Sequence, residues 1–158
     1  MVENQSHKHS KTIIGWREWL ALPELGIPAI KTKIDTGART SALHAQFIEE
    51  FEIGGKKRVR FGVRPLRKRK DLELICEADI VDFRSVKDSG GHTEMRCFIR
   101  TEAQLGDHRW MIDISLTSRK DMLFRMLLGR TALENEFIID PGRSYITGRT
   151  LAGSYKHH

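Results

Sequence analysis

Asp35-Thr36-Gly37 is the place in this chain where residue types and spacing best provide for chemistry. It follows Ile30-Lys31-Thr32-Lys33-Ile34, whose alternation reads as a strand, so the carboxylate sits in a turn at a strand end. Gly37 lets the backbone turn tightly and approach a ligand closely, and Thr36 can bond neighbouring backbone to fix the loop. Such a carboxylate can act as a general base on water only if its charge state is controlled. A second carboxylate close by supplies that control, because two such groups share one proton. One then activates water while the other protonates a carbonyl oxygen. The ordinary alternative is a surface turn, and the tripeptide alone does not separate the two.

A second motif lies downstream: Leu127-Leu128-Gly129-Arg130-Thr131-Ala132-Leu133, two apolar residues, a glycine and the start of a short helix. One chain carries one Asp-Thr-Gly, so a carboxylate pair needs a second copy. The economical source is a symmetric homodimer with Asp35 of each subunit at the two-fold axis. A rival within the chain is Asp88-Ser89-Gly90-Gly91. This turn has three readings: a flap over a cleft that uses Gly90 and Gly91, an ordinary surface hairpin, or a second half-site.

The elements that must position these motifs read as short strands between Gly and Pro turns. Ile13 to Leu20 reads as an opening strand closed by Pro23, and Val59, Phe61 and Val63 alternate with basic residues up to Pro65. Leu74 to Val81 is a strand, with a helix as the alternative. Trp110 to Leu116 gives the clearest half-buried alternation. Met126 to Leu128 and Phe137 to Ile139 are short apolar strands, and Thr131 to Glu136 suits one or two helical turns between them. Ser41 to Phe51 has apolar spacing that also suits a helix and is read as strand. Many short strands with such turns indicate an all-β barrel or sandwich.

Four segments carry a resemblance to a known family. They are Gly15-Trp16-Arg17-Glu18-Trp19, Leu22-Pro23-Glu24-Leu25, Lys33 to Ala45 through the Asp-Thr-Gly, and Met126-Leu127-Leu128-Gly129-Arg130. Together they resemble the bacterial family named ATP-dependent zinc proteases, over roughly residues 12 to 148. The resemblance implies a closed, six-stranded acid-protease (retropepsin-like) barrel with one short helix. It implies Asp35 as the catalytic aspartate, with Thr36, Gly37 and Ala38 as its loop, and an apolar strand before Gly129 that passes under that loop. Arg39, Ser41 and His44 would then begin the strand that leaves the site. Ser41 is placed to bond the loop, Arg39 or His44 to meet an acidic substrate, and Arg130 to brace the loop or a dimer. The resemblance also implies trimming of acidic, glutamate-rich peptides and a link to ATP-grasp ligases that add glutamate to a ribosomal protein.

The zinc and ATP in that family name have no signature here. There is no HExxH and no paired-cysteine cluster, so no metal ligands and no cofactor are assigned. His44, His92 and His108 are scattered, and a metal-dependent peptidase built on them is the weakest reading. No Gly-rich phosphate loop ending in Lys-Ser/Thr is present, so the ATP belongs to a partner ligase.

The 158 residues suit one domain over 12–150, with polar tails at 1–11 and 151–158. No apolar run reaches membrane-span length and the N-terminus has no signal-like apolar core, so a cytoplasmic protein is expected. Cys76 and Cys97 read as buried small hydrophobes. Between Lys56 and Lys70 nine basic residues occur without an acid, more than the whole net charge of +6. The segment is either a patch for an acidic peptide, a ribosomal surface or a ligase, or a solvated loop and strand. Only Phe61 interleaves with it, so nucleic-acid binding is not expected. A non-catalytic binding module on the same barrel is the alternative to a homodimeric aspartic peptidase.

Overall fold

The strand that carries Asp35 is shaped by its alternation. In β3 (Ile27–Ile34), Ile30, Thr32 and Ile34 are buried while Lys31 and Lys33 point to solvent. A computed structural model gives the fold and describes residues 11–88, 90–118 and 123–155. Before β3 lie β1 (Thr12–Gly15) and β2 (Arg17–Leu22), followed by a 3-10 turn at Pro23–Leu25. The sequence reads 13–20 as one strand, but the chain breaks at Trp16, and the two halves join different sheets. After β3 come β4 (Ser41–His44), β5 (Phe47–Ile53), β6 (Lys56–Val63), β7 (Leu74–Asp79) and β8 (Asp82–Lys87). They are followed by β9 (Thr93–Leu105), β10 (His108–Thr117), β11 (Met126–Leu128), the one-turn helix α1 (Arg130–Leu133) and β12 (Phe137–Asp140). The 41–51 stretch is therefore two strands.

Six strands close on themselves in the order β10-β4-β11-β3-β2-β9, with β9 pairing back onto β10. This is the closed, retropepsin-like barrel with one short helix that the sequence leads one to expect. Closure removes exposed strand edges, and β8 extends β9 as a hairpin outside the ring. Strands β5, β6 and β7 form a separate antiparallel sheet, and β1 pairs in parallel with β12. The barrel interior holds Leu20, Ile30, Leu43, Ile114, Met126 and Leu128, all 2% exposed or less. Each such side chain contributes about 1.5–3 kcal/mol relative to exposure. A second cluster, Trp19, Ala29, Tyr145 and Tyr155, packs on the outside of β2 and β3.

The C-terminal segment is part of this packing. Residues 151–158 are expected as a flexible tail; 156–158 lie outside the described residues, as does the expected N-terminal tail up to residue 10, and Leu151–Tyr155 form a 3-10 turn. Tyr155 is 5% exposed there, and its hydroxyl donates to Ala29 O and accepts from Ala29 N. The basic run is also changed by tertiary neighbours. On β6, Lys56 and Arg58 pair with Asp79, Arg58 also reaches Glu77, and Arg60 lies between Glu49 and Glu77 in register. In the following loop, Arg64 pairs with Glu73 and Arg69 with Asp71. The local charge excess in sequence is thus partly offset by strands and loop residues that carry acids. Phe61 is fully buried. Among the described residues, no helix is long and apolar enough to cross a membrane.

Candidate active site

The Asp35 loop is held between the bend at Trp16 and strand β11. Ile34 N donates to Trp16 O at 2.8 Å, and Asp35 N to Leu128 O at 2.9 Å. Beyond the aspartate, Arg130 N donates to Ala38 O at 2.7 Å and Thr131 N to Arg39 O at 3.1 Å. The segment Leu128–Thr131 thus runs alongside the loop and holds its two sides. Thr131 Oγ1 adds a bond to Arg39 O at 3.0 Å, and Arg130 Nη1 donates to Thr36 O at 3.1 Å. Arg130 thus ties the helix start to the loop through Thr36 O.

Gly129 is required by this crossing. A Cβ there would lie 2.5 Å from the carbonyl C and O of Thr40 and 2.9 Å from its N. These are backbone atoms, so no side chain can move aside. Gly129 N donates to Ser41 Oγ at 3.0 Å. The sequence places Ser41 for bonding the aspartate loop itself; its hydroxyl instead fixes the glycine that crosses the loop, because Ser41 is fully buried at the start of β4.

The aspartate is half-buried between exposed Thr36 and Gly37 and the strand end. Its Oδ1 accepts from Gly37 N at 2.9 Å and Ala38 N at 3.2 Å. Both bonds fall on one oxygen, which orients the carboxylate and leaves Oδ2 unused by these two donors. Such a group can act as a base on water or as one half of a proton-sharing pair.

The remaining sequence candidates separate. Arg39 is exposed beside the loop. His44 is 3% exposed at the far end of β4, so its ring is not offered to a substrate; its Nε2 lies 3.3 Å from Gln46 Nε2. Gly90 and Gly91 lie in the turn joining β8 to β9, where Gly91 has φ +87° and Asp88 Oδ1 accepts from Gly90 N and His92 N. Ser89 lies outside the described residues. Asp88 N bonds to His92 O within the hairpin, whereas Asp35 N bonds to a neighbouring barrel strand.

Among the described residues, the histidines considered as zinc donors lie apart. His44 sits beside Thr117, at the opposite end of β10 from His108. His108 instead meets Glu136 at 2.7 Å and packs on Trp110 and Phe137. Among the described residues no group of three or more His, Cys, Asp or Glu side chains is gathered. His44 and His108 therefore do not combine in one zinc site, and no step is assigned to one.

Sequence reading missed the support behind Ser41. Ser115 Oγ donates to Ser41 O at 3.1 Å, and Arg96, 7% exposed, donates to Ser115 Oγ at 3.3 Å and to Glu94 at 2.5 Å. Thr117 Oγ1 joins Glu94 at 2.8 Å. These residues come from β9 and β10, and their only sequence signal is polar residues at inward positions of an otherwise apolar strand. Buried Glu18 was likewise missed. Its carboxylate accepts from Gly15 N, Ile146 N, Thr147 N and Thr147 Oγ1 at 2.7–3.1 Å, tying the C-terminal segment to β2.

Comparison with known proteins agrees with this fold. A crystal structure of a Legionella pneumophila protein of unknown function is similar with a TM-score of 0.72 and 32% identity, over 87% of this chain and 99% of that one. A Shewanella halifaxensis protein named "Probable alpha-L-glutamate ligase" is 43% identical over 140 residues, and a Desulfotalea psychrophila protein of the same name 46% identical over 132. These matches take in 89% and 84% of this chain but 31% and 28% of the relatives, so the chain spans about three-tenths of their length. The family description that matches residues 13–150 is that of an aspartic endopeptidase, and the zinc-protease name in the sequence resemblance is not repeated by it. By that match the chain belongs to the RimB-like family of retropepsin-like aspartic endopeptidases.

Proposed function

We propose that the chain is one half of an aspartic peptidase, completed by a second copy that brings its own Asp35 to a two-fold axis. The observation that carries this reading is the clamped loop: Asp35 held through Oδ1 by two backbone N–H groups, with Gly129 crossing behind it. In the dimer the two carboxylates share one proton. The ionised one takes a proton from water, whose oxygen attacks the scissile carbonyl carbon. The protonated one gives its proton to the carbonyl oxygen, forming a tetrahedral diol. Collapse of the diol returns a proton to the leaving amine and breaks the C–N bond. The chain's own residues supply every group in this sequence, and no cofactor enters it.

The substrate class in this reading is an acidic, glutamate-rich peptide. Support comes from the relatives named as glutamate ligases, in which a segment like this chain forms part of a longer protein. A functional link to such a ligase, and work in the cytoplasm, follow from the same reading. The deciding experiment compares wild type with Asp35→Asn on a glutamate-rich peptide, with the oligomeric state measured by sedimentation. Cleavage by a dimeric wild type and none by the variant is expected. Cleavage by Asp35→Asn refutes the aspartic mechanism. Peptide binding by a stable monomer without cleavage favours the alternative, a binding module on the same barrel.

A further inference from the structure

The barrel places on one outer face a set of cations that are scattered in sequence. Lys31 and Lys33 point outward from β3. Strand β2 sets Arg17 directly opposite Lys33, and Trp19 opposite Lys31. On the other side, β11 sets Leu127 beside Lys33, and Arg125 precedes that strand by one residue. Like charges facing each other across a sheet repel. Among the described residues Arg17, Lys31 and Lys33 have no carboxylate partner. Arg17 lies over the rings of Trp16 and Tyr145 at 4.6 and 5.0 Å and donates to Ser144 Oγ, and Lys31 Nζ lies 5.6 Å from the Trp19 ring.

The loop between β6 and β7 adds to this face. Its Arg64 and Arg67 lie close enough to Arg125 that their charges, after burial, lower the Arg125 pKa. Arg64 is paired with Glu73, while Arg67 is exposed. Arg125 Nε is buried and has no acceptor among the described residues. A buried guanidinium N–H without an acceptor, set among like charges, is an arrangement that an anion relieves.

We propose that this face, formed by Arg17, Lys31, Lys33, Arg64, Arg67 and Arg125, docks a carboxylate-rich peptide segment. The spacing suits an extended chain: Lys31, Lys33 and Asp35 follow one another at about 6.8 Å, the repeat of same-side residues along a strand. An acidic peptide lying along β3 meets a cation at every second residue as it approaches Asp35. Nucleic acid fits less well, because the rings beside Lys31, Trp19 and Tyr145, are each 8% exposed, and the half-buried Trp16 is already covered by the Arg17 guanidinium. The identity of the segment, as the part of a substrate flanking the scissile bond, rests on the peptidase reading of Asp35; the docking does not require cleavage.

The test uses the Asp35→Asn chain and a fluorescent oligoglutamate peptide, read by anisotropy at about 50 and about 200 mM salt. Binding that weakens with salt is expected, with a loss of about tenfold or more in a Lys31→Glu/Lys33→Glu variant. Arg67→Glu, at an exposed loop position, is expected to weaken binding several-fold, and Lys57→Glu on β6 to leave it unchanged. Circular dichroism confirms that each variant is folded. Unchanged affinity in the folded β3 variant, an equal loss from Lys57→Glu, or tighter binding of single-stranded RNA of equal charge overturns the proposal. Docking without cleavage by wild type removes the peptidase reading and leaves the docking face intact. Cleavage by wild type with no effect of the β3 or Arg67 variants on peptide binding does the reverse.

Discussion

Replacing Gly129 with alanine tests the construction of the site most directly. The added methyl would sit 2.5 Å from the carbonyl C and O of Thr40, where contacts below about 3 Å force movement. The obstacle is backbone on both sides, so the two segments must separate by roughly 1 Å. Overpacking of this kind costs about 1–3 kcal/mol. Separation also weakens the bonds Arg130 N to Ala38 O, Thr131 N to Arg39 O and Gly129 N to Ser41 Oγ. At about 1 kcal/mol each, loss of one or two brings the total to about 2–5 kcal/mol. Urea unfolding measures this as a lower midpoint at unchanged slope. Gly37→Ala is the control, because its Cβ would meet only Asp35 Oδ1 at 3.2 Å, and a cost below about 1 kcal/mol is expected. Ser41→Ala removes the acceptor of Gly129 N without a clash and is expected to cost about 1–2 kcal/mol. A Gly129→Ala midpoint equal to wild type, or equal to that of Gly37→Ala, would refute the reasoning that this close crossing holds the loop.

Three further outcomes are expected. Glu18→Ala leaves the buried donors of Gly15 and Thr147 without their acceptor and should destabilise by about 3 kcal/mol or more; a loss under about 1 kcal/mol in urea melts would contradict this. Burial pushes the Cys76 thiol up to about 12 and Cys97 up to about 11, the latter helped by Glu50, so neither should react with a thiol reagent at neutral pH until the protein unfolds. Stoichiometric labelling of the native protein would count against this packing. Burial likewise raises the Tyr155 phenol from 10.0 to about 12. Its folded state then holds a proton that the unfolded state releases first, so its contribution is complete below pH 10 and falls by about 3 kcal/mol as pH rises towards 12. The difference between wild-type and Tyr155→Phe stability should shrink over that window, and a constant difference would refute the assignment.

The sequence alone determined the strand into Asp35, the turn at Gly37, the apolar segment ending at Gly129 and the short helix after it. Each is a local signal: a period of two, a turn residue, or a helix start. It also pointed to a retropepsin-like family, because the motifs lie in order along the chain, though under a zinc-protease name that the family match does not repeat. Sequence could not tell whether 41–51 was helix or strand, since its apolar spacing suits both and barrel pairing decides. Nor could it show that Ser41 serves Gly129, that Ser115 and Arg96 stand behind it, or that Glu18 ties down residues 146 and 147. Those bonds join positions remote along the chain, and no spacing rule connects them. Charge is the sharpest case. The basic run at 56–70 is conspicuous in sequence, yet four of its nine cations, Lys56, Arg58, Arg64 and Arg69, pair with acids of β7 and the loop before it. Lys31, Lys33, Arg17 and Arg125 are unremarkable in sequence and become neighbours only when β2, β3 and β11 pair. Electrostatic energy depends on distance in space, and the closing of the barrel sets those distances.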